Sequence, residues 1–205
     1  MKVKVCGIKN KYTLKYLINH KYPPEYIGFI SNYPKSNRNL EYNKLKYIIN
    51  LNKKKSLFVS VLVNPKITFL EKIKNLSFDY YQLYDVCPMQ TRFIKERYKI
   101  KIITALKIGS IEDVMNYKKY RNISDIVLFD GQGYEKSIAF NHDLISNVPK
   151  NITKMLAGNI KYYDKLEKFN KITDIIDISG SLETSGEKDI KKINVFLNNA
   201  KKKIT

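Results

Sequence analysis

The sequence predicts an α/β protein built as a (β/α)8 TIM barrel, with residues 1–205 forming one compact domain. Eight short runs rich in β-branched and aromatic residues recur along the chain, and their starts lie 21 to 32 residues apart, which is typical of repeated βα units. Segments between these runs place apolar residues at helical intervals among lysine and glutamate. No stretch rich in Gly, Pro or Ser divides the chain, and the count of eight favours a closed barrel over a doubly wound sheet.

The eight predicted strands follow one another without a gap in the pattern. They are VKVC (3–6), YIGFI (26–30), FVSVLV (58–63), DYYQL (79–83), KIITAL (101–106), DIVLF (125–129), TKMLA (153–157) and DIIDIS (174–179). Amphipathic helices are predicted between them, for example around Leu45, Ile48 and Ile49, and around Phe69, Ile73 and Leu76.

The formal charge of +19 is the most unusual feature of the composition. It would suit a nucleic acid or an acidic membrane surface. However, only four of the 38 basic residues are arginine, the lysines are scattered, and Asn, Ile and Tyr are also used heavily, which indicates drift towards A/T-rich codons. We therefore expect neither a nucleic acid nor a membrane as partner, and the lysines are interpreted as solvated helix faces.

A few residue types bear on the cellular compartment and on metal binding. No apolar run approaches the ~20 residues of a transmembrane helix, and the N-terminus lacks a signal-peptide layout, so a cytoplasmic protein is expected. Two cysteines, Cys6 and Cys87, do not make a disulfide framework. His20 and His142 are isolated, which gives no support to a metal site or a Ser-His arrangement.

In a barrel of this type the chemistry is expected where strands end and βα loops begin, because side chains from many strands meet there. Polar residues and glycines at these positions are the candidate site residues. They are Cys6, Arg38, Gln82, Asp130, Gly158, Asn159, Gly180 and Ser181.

Read in chain order, these segments resemble the phosphoribosylanthranilate isomerase family over nearly the whole sequence. KVCGI is similar to the first strand of that family, IGFI with SNRNL to its second strand and arginine loop, and VSVLVN to its third strand. DYYQLYD resembles the fourth strand, IVLFD the sixth with its acidic end, and LAGNI the phosphate loop of the seventh. IDISGSLETSGEKDIKKINVF resembles the eighth strand with its loop and the final helix. Each piece alone is weak, but all of them in register are specific.

The resemblance implies an Amadori rearrangement of N-(5'-phosphoribosyl)anthranilate in tryptophan biosynthesis, without a metal or other cofactor. By matching position, Asp130 is the general acid that opens the ribose ring and Cys6 is the general base that removes the proton from sugar C2. Arg38 and Gln82 are assigned to substrate binding, Arg38 by a bidentate pair with the anthranilate carboxylate. Phosphate binding is assigned to four loop residues: Gly158, Asn159, Gly180 and Ser181. The expected partner is this small substrate, with the protein a monomer or a homodimer.

A thiol acting as a base requires stabilisation of its anion. Strand alternation places Lys4 on the same face of the first strand as Cys6, with Val3 and Val5 on the other face. Asp177 lies on the polar face of the eighth strand, which adjoins the first in a closed barrel. We therefore hypothesise that Lys4 and Asp177 pair inside the barrel below Cys6, with their charged groups within about 6 Å of each other.

Several positions depart from the family pattern. Tyr84 and Asp85 stand where the family usually has His-Gly, the segment 131–139 shares little of the usual glycine pattern, and Ser-Gly-Ser replaces Ser-Ser-Gly near the eighth strand. Asn159 replaces a second glycine, and asparagine enters the left-handed backbone region readily.

Two other functions are compatible with the residues. One is a related phosphosugar aldose-ketose isomerase on the same barrel, which the cysteine after the first strand disfavours. The other is a basic RNA-associated barrel without catalysis, suggested by the charge.

Outside the site, Cys87 is expected to be structural, while Glu183 and Asp189 are expected to cap or solvate the last helix.

Overall fold

A computed structural model describes residues 1–133 and 139–201 of the chain. Its eight long strands form one closed parallel barrel in the order β1 to β8, and β8 pairs with β1. The barrel strands are β1 (Lys2–Val5), β2 (Tyr26–Ile30), β3 (Leu57–Val63), β4 (Tyr80–Tyr84), β5 (Lys101–Ile108), β6 (Ile126–Gly131), β7 (Lys154–Leu156) and β8 (Ile175–Ile178). The predicted (β/α)8 barrel is confirmed, and each strand overlaps its predicted run.

The α-helices follow strands β1 to β5 and strand β8. They are α1 (Lys11–Asn19), α2 (Tyr42–Ile49), α3 (Ile67–Ile73), α4 (Pro88–Tyr98), α5 (Ile111–Met115), α6 (Tyr117–Tyr120) and α7 (Ile190–Lys201). Helix starts have ordinary chemical causes: Asn10 caps α1 by accepting a hydrogen bond from the Thr13 amide, and Pro88 opens α4.

After β6, β7 and β8, the described segments contain 3-10 helices at His142–Ile145, Leu166–Phe169 and Gly180–Leu182. The units after β6 and β7 thus differ from a regular αβ repeat. Between β7 and β8, a 3-10 turn that buries Leu166 and Phe169 covers the barrel. The predicted helix around Phe69 also ends earlier than its pattern suggested, because α3 stops at Ile73 and leaves Leu76 in the following turn.

Strand alternation divides the apolar core into two parts. Side chains such as Val3, Val5 and Phe29 lie between the strands and the surrounding helices. Side chains such as Val59 and Met155 belong to a second cluster that fills the barrel interior. The interior is therefore a packed core below the mouth and not a pore.

Further β-structure lies beside the barrel mouth. The strands β9 (Glu183–Thr184) and β10 (Glu187–Lys188) pair as a small antiparallel hairpin between β8 and α7. The divergent segment 131–139 lies for the most part outside the described residues. Within the described part of the chain, no helix is both long enough and apolar enough to cross a bilayer.

Replacing Phe29 by Ala is expected to lower the free energy of unfolding by about 3–5 kcal/mol, because the change leaves a cavity in the helix-facing core. Phe29 is fully buried, with its ring centroid 5.2 Å from that of Phe58 and 6.2 Å from that of Phe78. Urea unfolding measures the difference. The exposed Tyr12 supplies the control, since Tyr12→Ala is expected to change stability by no more than about 0.5 kcal/mol. Equal effects of the two substitutions would contradict the assignment of Phe29 to the core.

Candidate active site

A cavity of about 390 Å3 opens at the carboxyl ends of the barrel strands. Its size lies within the usual range of small-molecule sites, roughly 300–1,000 Å3. Nine of the ten residues proposed for the site line it: Cys6, Arg38, Gln82, Asp130, Gly158, Asn159, Asp177, Gly180 and Ser181. The tenth, Lys4, lies beneath the cavity. Residues distant in sequence are thus brought to one mouth by the barrel topology.

Cys6 follows β1 directly and is held by backbone hydrogen bonds. Its amide donates to the Ile178 carbonyl at 2.9 Å, and its carbonyl accepts from the Ser179 hydroxyl at 3.1 Å. Gly28 in β2 makes room for the thiol, since a Cβ at that position would lie 2.7 Å from Cys6 Sγ and 3.1 Å from Lys4 Cε. A glycine inside a predicted strand indicates such a close approach, and this signal was present in YIGFI.

The hypothesised ion pair is present below Cys6. Lys4 Nζ lies 2.7 Å from Asp177 Oδ2, and the two residues are register partners across β1 and β8. Lys4 is completely buried and Asp177 is 7% exposed. Burial alone would lower the pKa of Lys4, but Asp177 and Cys6 together raise it, so Lys4 carries its charge inside the barrel.

The thiol itself is harder to ionise than an exposed one. Burial and the Asp177 carboxylate raise the pKa of Cys6, and together they outweigh the opposing effects of Lys4 and Lys188. The expected stabilisation of the anion by Lys4 therefore exists, but it reduces the rise in pKa without reversing it. The thiolate of Cys6, once formed, is correspondingly more basic than that of an exposed cysteine.

Asp130 lies near the end of β6 and contacts an aromatic hydroxyl. Tyr84 Oη donates to Asp130 Oδ2 at 2.8 Å, and Gln82 Nε2 donates to Tyr84 Oη at 3.3 Å. Burial, followed by the nearby Asp130 carboxylate, raises the pKa of Tyr84 well above its ordinary value. Tyr84 was recognised in the sequence only as a departure from the family pattern, and its contact with the acid was not foreseen.

The loops after β7 and β8 provide the glycine-rich side of the cavity. Gly158 has φ +90°, and a Cβ there would lie 2.9 Å from the Gly131 amide nitrogen, so only glycine fits. Asn159 has φ 54°, which confirms that asparagine adopts the left-handed conformation of this loop. Ser181 Oγ accepts a hydrogen bond from the Tyr162 amide at 2.8 Å and thereby ties the two loops together.

Arg38 pairs with a carboxylate of the chain itself. Its Nε and one terminal nitrogen donate to the two carboxylate oxygens of Glu183 at 2.7 and 2.8 Å. The predicted role of Glu183 at the last helix is wrong: it pairs with Arg38 and with Lys188, whose Nζ lies 2.6 Å from Glu183 Oε1. Although burial opposes ionisation, Arg38 and Lys188 hold the pKa of Glu183 below its ordinary value. Asp189 does cap α7, because its carboxylate accepts from the amides of Lys191 and Lys192.

Two buried acceptors in the cavity wall have no hydrogen-bond partner among the described residues. They are Gln82 Oε1 and Asp177 Oδ1. An unpartnered acceptor in a buried position costs roughly 1–3 kcal/mol, so these atoms are suited to hydroxyl donors from a ligand. The described residues contain no group of three or more His, Cys, Asp or Glu side chains placed to hold a metal ion.

Cys87 lies outside this arrangement. It is exposed at the N-cap of α4, where its carbonyl accepts a hydrogen bond from the Thr91 hydroxyl at 3.0 Å. Cys87 was predicted to be structural, but its thiol is exposed and is not part of the core.

The fold and the cavity define a (β/α)8-barrel enzyme whose site combines a buried thiol, a carboxyl and two glycine loops. The model of the N-(5'-phosphoribosyl)anthranilate isomerase family matches residues 3–199. The chain belongs to this family. Curated isomerases of that name from Clostridium acetobutylicum and Bacillus cereus strain B4264 are 30% and 29% identical to it, over 98% of both chains in each pair.

A solved structure supports the fold independently. The phosphoribosylanthranilate isomerase from Thermotoga maritima superposes with a TM-score of 0.84 at 24% identity, covering 98% of each chain. At this level of identity the likeness establishes the barrel and not the roles of individual residues.

The pH dependence of Cys6 alkylation tests the raised pKa. In a Cys87→Ala background, the rate of reaction with iodoacetamide is expected to reach half of its plateau above pH ~8.5, the midpoint of a free cysteine, because only the thiolate reacts. Removing the cation in Lys4→Met is expected to move the profile to still higher pH. Circular dichroism must show that this variant is folded, since breaking a buried pair costs about 3–5 kcal/mol. A midpoint at or below that of free cysteine would contradict the burial of the thiol.

Proposed function

We propose that the protein isomerises N-(5'-phosphoribosyl)anthranilate to 1-(o-carboxyphenylamino)-1-deoxyribulose 5-phosphate in tryptophan biosynthesis, with Asp130 as general acid and Cys6 as general base. The reaction follows from membership of the family. The residue roles rest on one observation: the thiol and the carboxyl line the same cavity, and β7 and β8, which carry the glycine loops, lie between β6 and β1.

The rearrangement needs only proton transfers and no net oxidation. Asp130 donates a proton to the ribose ring oxygen, the bond from that oxygen to C1 breaks, and the nitrogen lone pair forms the C1=N bond of a Schiff base. The Cys6 thiolate then takes the proton from C2, and its electron pair forms a C1=C2 double bond as the C=N electrons return to nitrogen. Tautomerisation of this enolamine gives the C2 ketone.

Lys4 supports ionisation of the base. The Lys4 cation lowers the pKa of Cys6 against the effect of burial, while Asp177 keeps that cation in place at 2.7 Å. A thiol with a high pKa is a strong base once ionised, which suits the removal of a carbon-bound proton from C2. The same arrangement predicts that turnover increases with pH wherever ionisation of Cys6 limits the rate.

The substrate can be oriented by its phosphate. The loops containing Gly158, Asn159, Gly180 and Ser181 line one side of the cavity, and backbone amides in such loops bind a dianion with little reorganisation. The ribose hydroxyls are proposed to donate to Gln82 Oε1 and Asp177 Oδ1, the two acceptors without a described partner.

Arg38 lines the cavity while its guanidinium is held by Glu183. Part of its donor set is therefore already used, which disfavours the bidentate pair predicted for the anthranilate carboxylate. We propose instead that Arg38 attracts this carboxylate through its charge and any contact outside the two bonds to Glu183.

Family membership favours this function over the other phosphosugar isomerase and over an RNA-associated barrel. A single domain over residues 1–205, a cytoplasmic location, and a monomeric or homodimeric state remain predictions. The expectation that the enzyme needs no cofactor also remains a prediction.

Cys6→Ala and Asp130→Asn are each expected to lower kcat at least ~100-fold, the scale for removal of a general acid or base. The decay of phosphoribosylanthranilate fluorescence measures turnover. Cys87→Ala is the matched control, since it removes the other thiol of the chain at an exposed position and is expected to retain kcat. Near-normal turnover by either variant in the site would remove that residue from its proposed role.

A further inference from the structure

We propose that Tyr84 is a positioning residue for Asp130, whose hydroxyl orients the acid and stabilises the negative charge left on it after proton transfer. This inference rests on the proposed role of Asp130 as general acid. It concerns a position at which the sequence departs from the usual family pattern.

The geometry places the Tyr84 hydroxyl between the buried Gln82 amide and the half-buried Asp130 carboxyl group. Tyr84 ends β4, is 9% exposed, and lines the cavity together with Gln82 and Asp130. Gln82 Nε2 donates to the tyrosine oxygen, so the tyrosine proton is directed onto Asp130 Oδ2 at 2.8 Å. The two hydrogen bonds run in one direction and polarise each other towards the carboxyl group.

The contact distinguishes the two oxygens of Asp130. Oδ2 accepts from Tyr84, whereas Oδ1 lies towards Gly158, 3.5 Å from the position that a Cβ of Gly158 would occupy. In the protonated acid, the oxygen that accepts from Tyr84 serves as the carbonyl, which leaves the proton on Oδ1. The acidic proton therefore faces the loop after β7, on the side of the cavity where the sugar phosphate is proposed to bind.

The hydroxyl also affects the energy of the proton transfer. When Asp130 gives its proton to the ring oxygen it becomes a carboxylate, and a hydrogen bond to a charged acceptor is roughly twice as strong as one between neutral groups. Tyr84 thus stabilises the product of the step more than its reactant, and it is in place before the charge develops. Its own proton is retained, because burial and the Asp130 carboxylate disfavour the phenolate.

Tyrosine differs here from the histidine usual in the family. An imidazole with a pKa near ~6.5 changes charge around neutral pH, which would alter the field at the acid. A buried phenol stays neutral over the same interval and remains a donor throughout. In this chain the acid is therefore supported by a group that does not titrate with it.

The test compares Tyr84→Phe with Tyr80→Phe. Both changes remove one buried hydroxyl from the inner face of β4, but Tyr80 packs against Tyr26 away from the cavity lining. Tyr84→Phe is expected to lower kcat about 10- to 100-fold, somewhat less than the loss of a full oxyanion-hole donor, while KM changes less than about threefold. Tyr80→Phe is expected to keep both constants.

The pH profile of kcat supplies a readout that a merely structural role would not move. Loss of the donor destabilises the Asp130 carboxylate, so the pKa of the acid rises, and the limb of the profile that reports the ionisation of Asp130 is expected to shift to higher pH. An unchanged kcat and profile in Tyr84→Phe would overturn the proposal, as would a change confined to KM, which would make Tyr84 a substrate contact only. Asp130→Asn distinguishes failure of this proposal from failure of the proposed function. Normal turnover in Asp130→Asn would exclude Asp130 as the general acid. An inactive Asp130→Asn together with a fully active Tyr84→Phe would exclude only the positioning role of Tyr84.

Discussion

A buried ion pair lies where the barrel closes on itself, and the electrostatics of the cavity depend on it. Lys4 and Asp177 are register partners across β1 and β8, so closure of the sheet is also what brings the two charges together. Such a pair is poor evidence for stability, because the cost of removing both charges from water offsets much of their attraction. Its consequence is local: it fixes a cation below Cys6 and leaves Asp177 Oδ1 available to a ligand. The lower part of the barrel interior is packed with apolar side chains, and the charged pair lies above it, next to Cys6.

Above that layer, the cavity contains more charge than a simple acid and base would require. Arg38, Glu183 and Lys188 form a second cluster near the mouth, and Glu183 is the anion shared by both cations. Because the substrate proposed for this site carries a phosphate and a carboxylate, a buried glutamate beside it is unfavourable unless it is neutralised. The two ion pairs provide that neutralisation and leave the cluster with a net positive charge. We therefore interpret Glu183 as a residue that holds Arg38 in position at the cavity wall, which is a different role from capping a helix.

The sequence predicted the barrel because its strands carry local signals that act independently of one another, from VKVC to DIIDIS. Register followed from alternation and closure, which is why the Lys4 and Asp177 pair could be predicted from residues 173 positions apart. The partners of Arg38 and Tyr84 could not, since they depend on side-chain rotamers in a shared space, and no periodicity encodes these. The 3-10 turn after β7 was missed for another reason: apolar residues three positions apart, such as Leu166 and Phe169, fit one tight turn as well as a helix. Gly28 did leave a signal, because a glycine inside a strand indicates that another group approaches closely.

The position of Tyr84 connects these points to the reaction. At the mouth of a barrel every strand end borders the same cavity, so residues at different strand ends can take the same role if their polar atoms reach the same place. Tyr84 ends β4, Asp130 lies near the end of β6, and the Tyr84 hydroxyl reaches the Asp130 carboxyl group in the cavity. Asp85, next in the chain, has φ 55°, the left-handed conformation that glycine adopts most readily. The chain therefore has other residues at both positions of the usual His-Gly pair, and the first of them donates to the Asp130 carboxylate. For the proposed reaction a neutral donor is sufficient at this position, because the cations available to the anionic substrate, such as Arg38, lie at other places on the cavity wall.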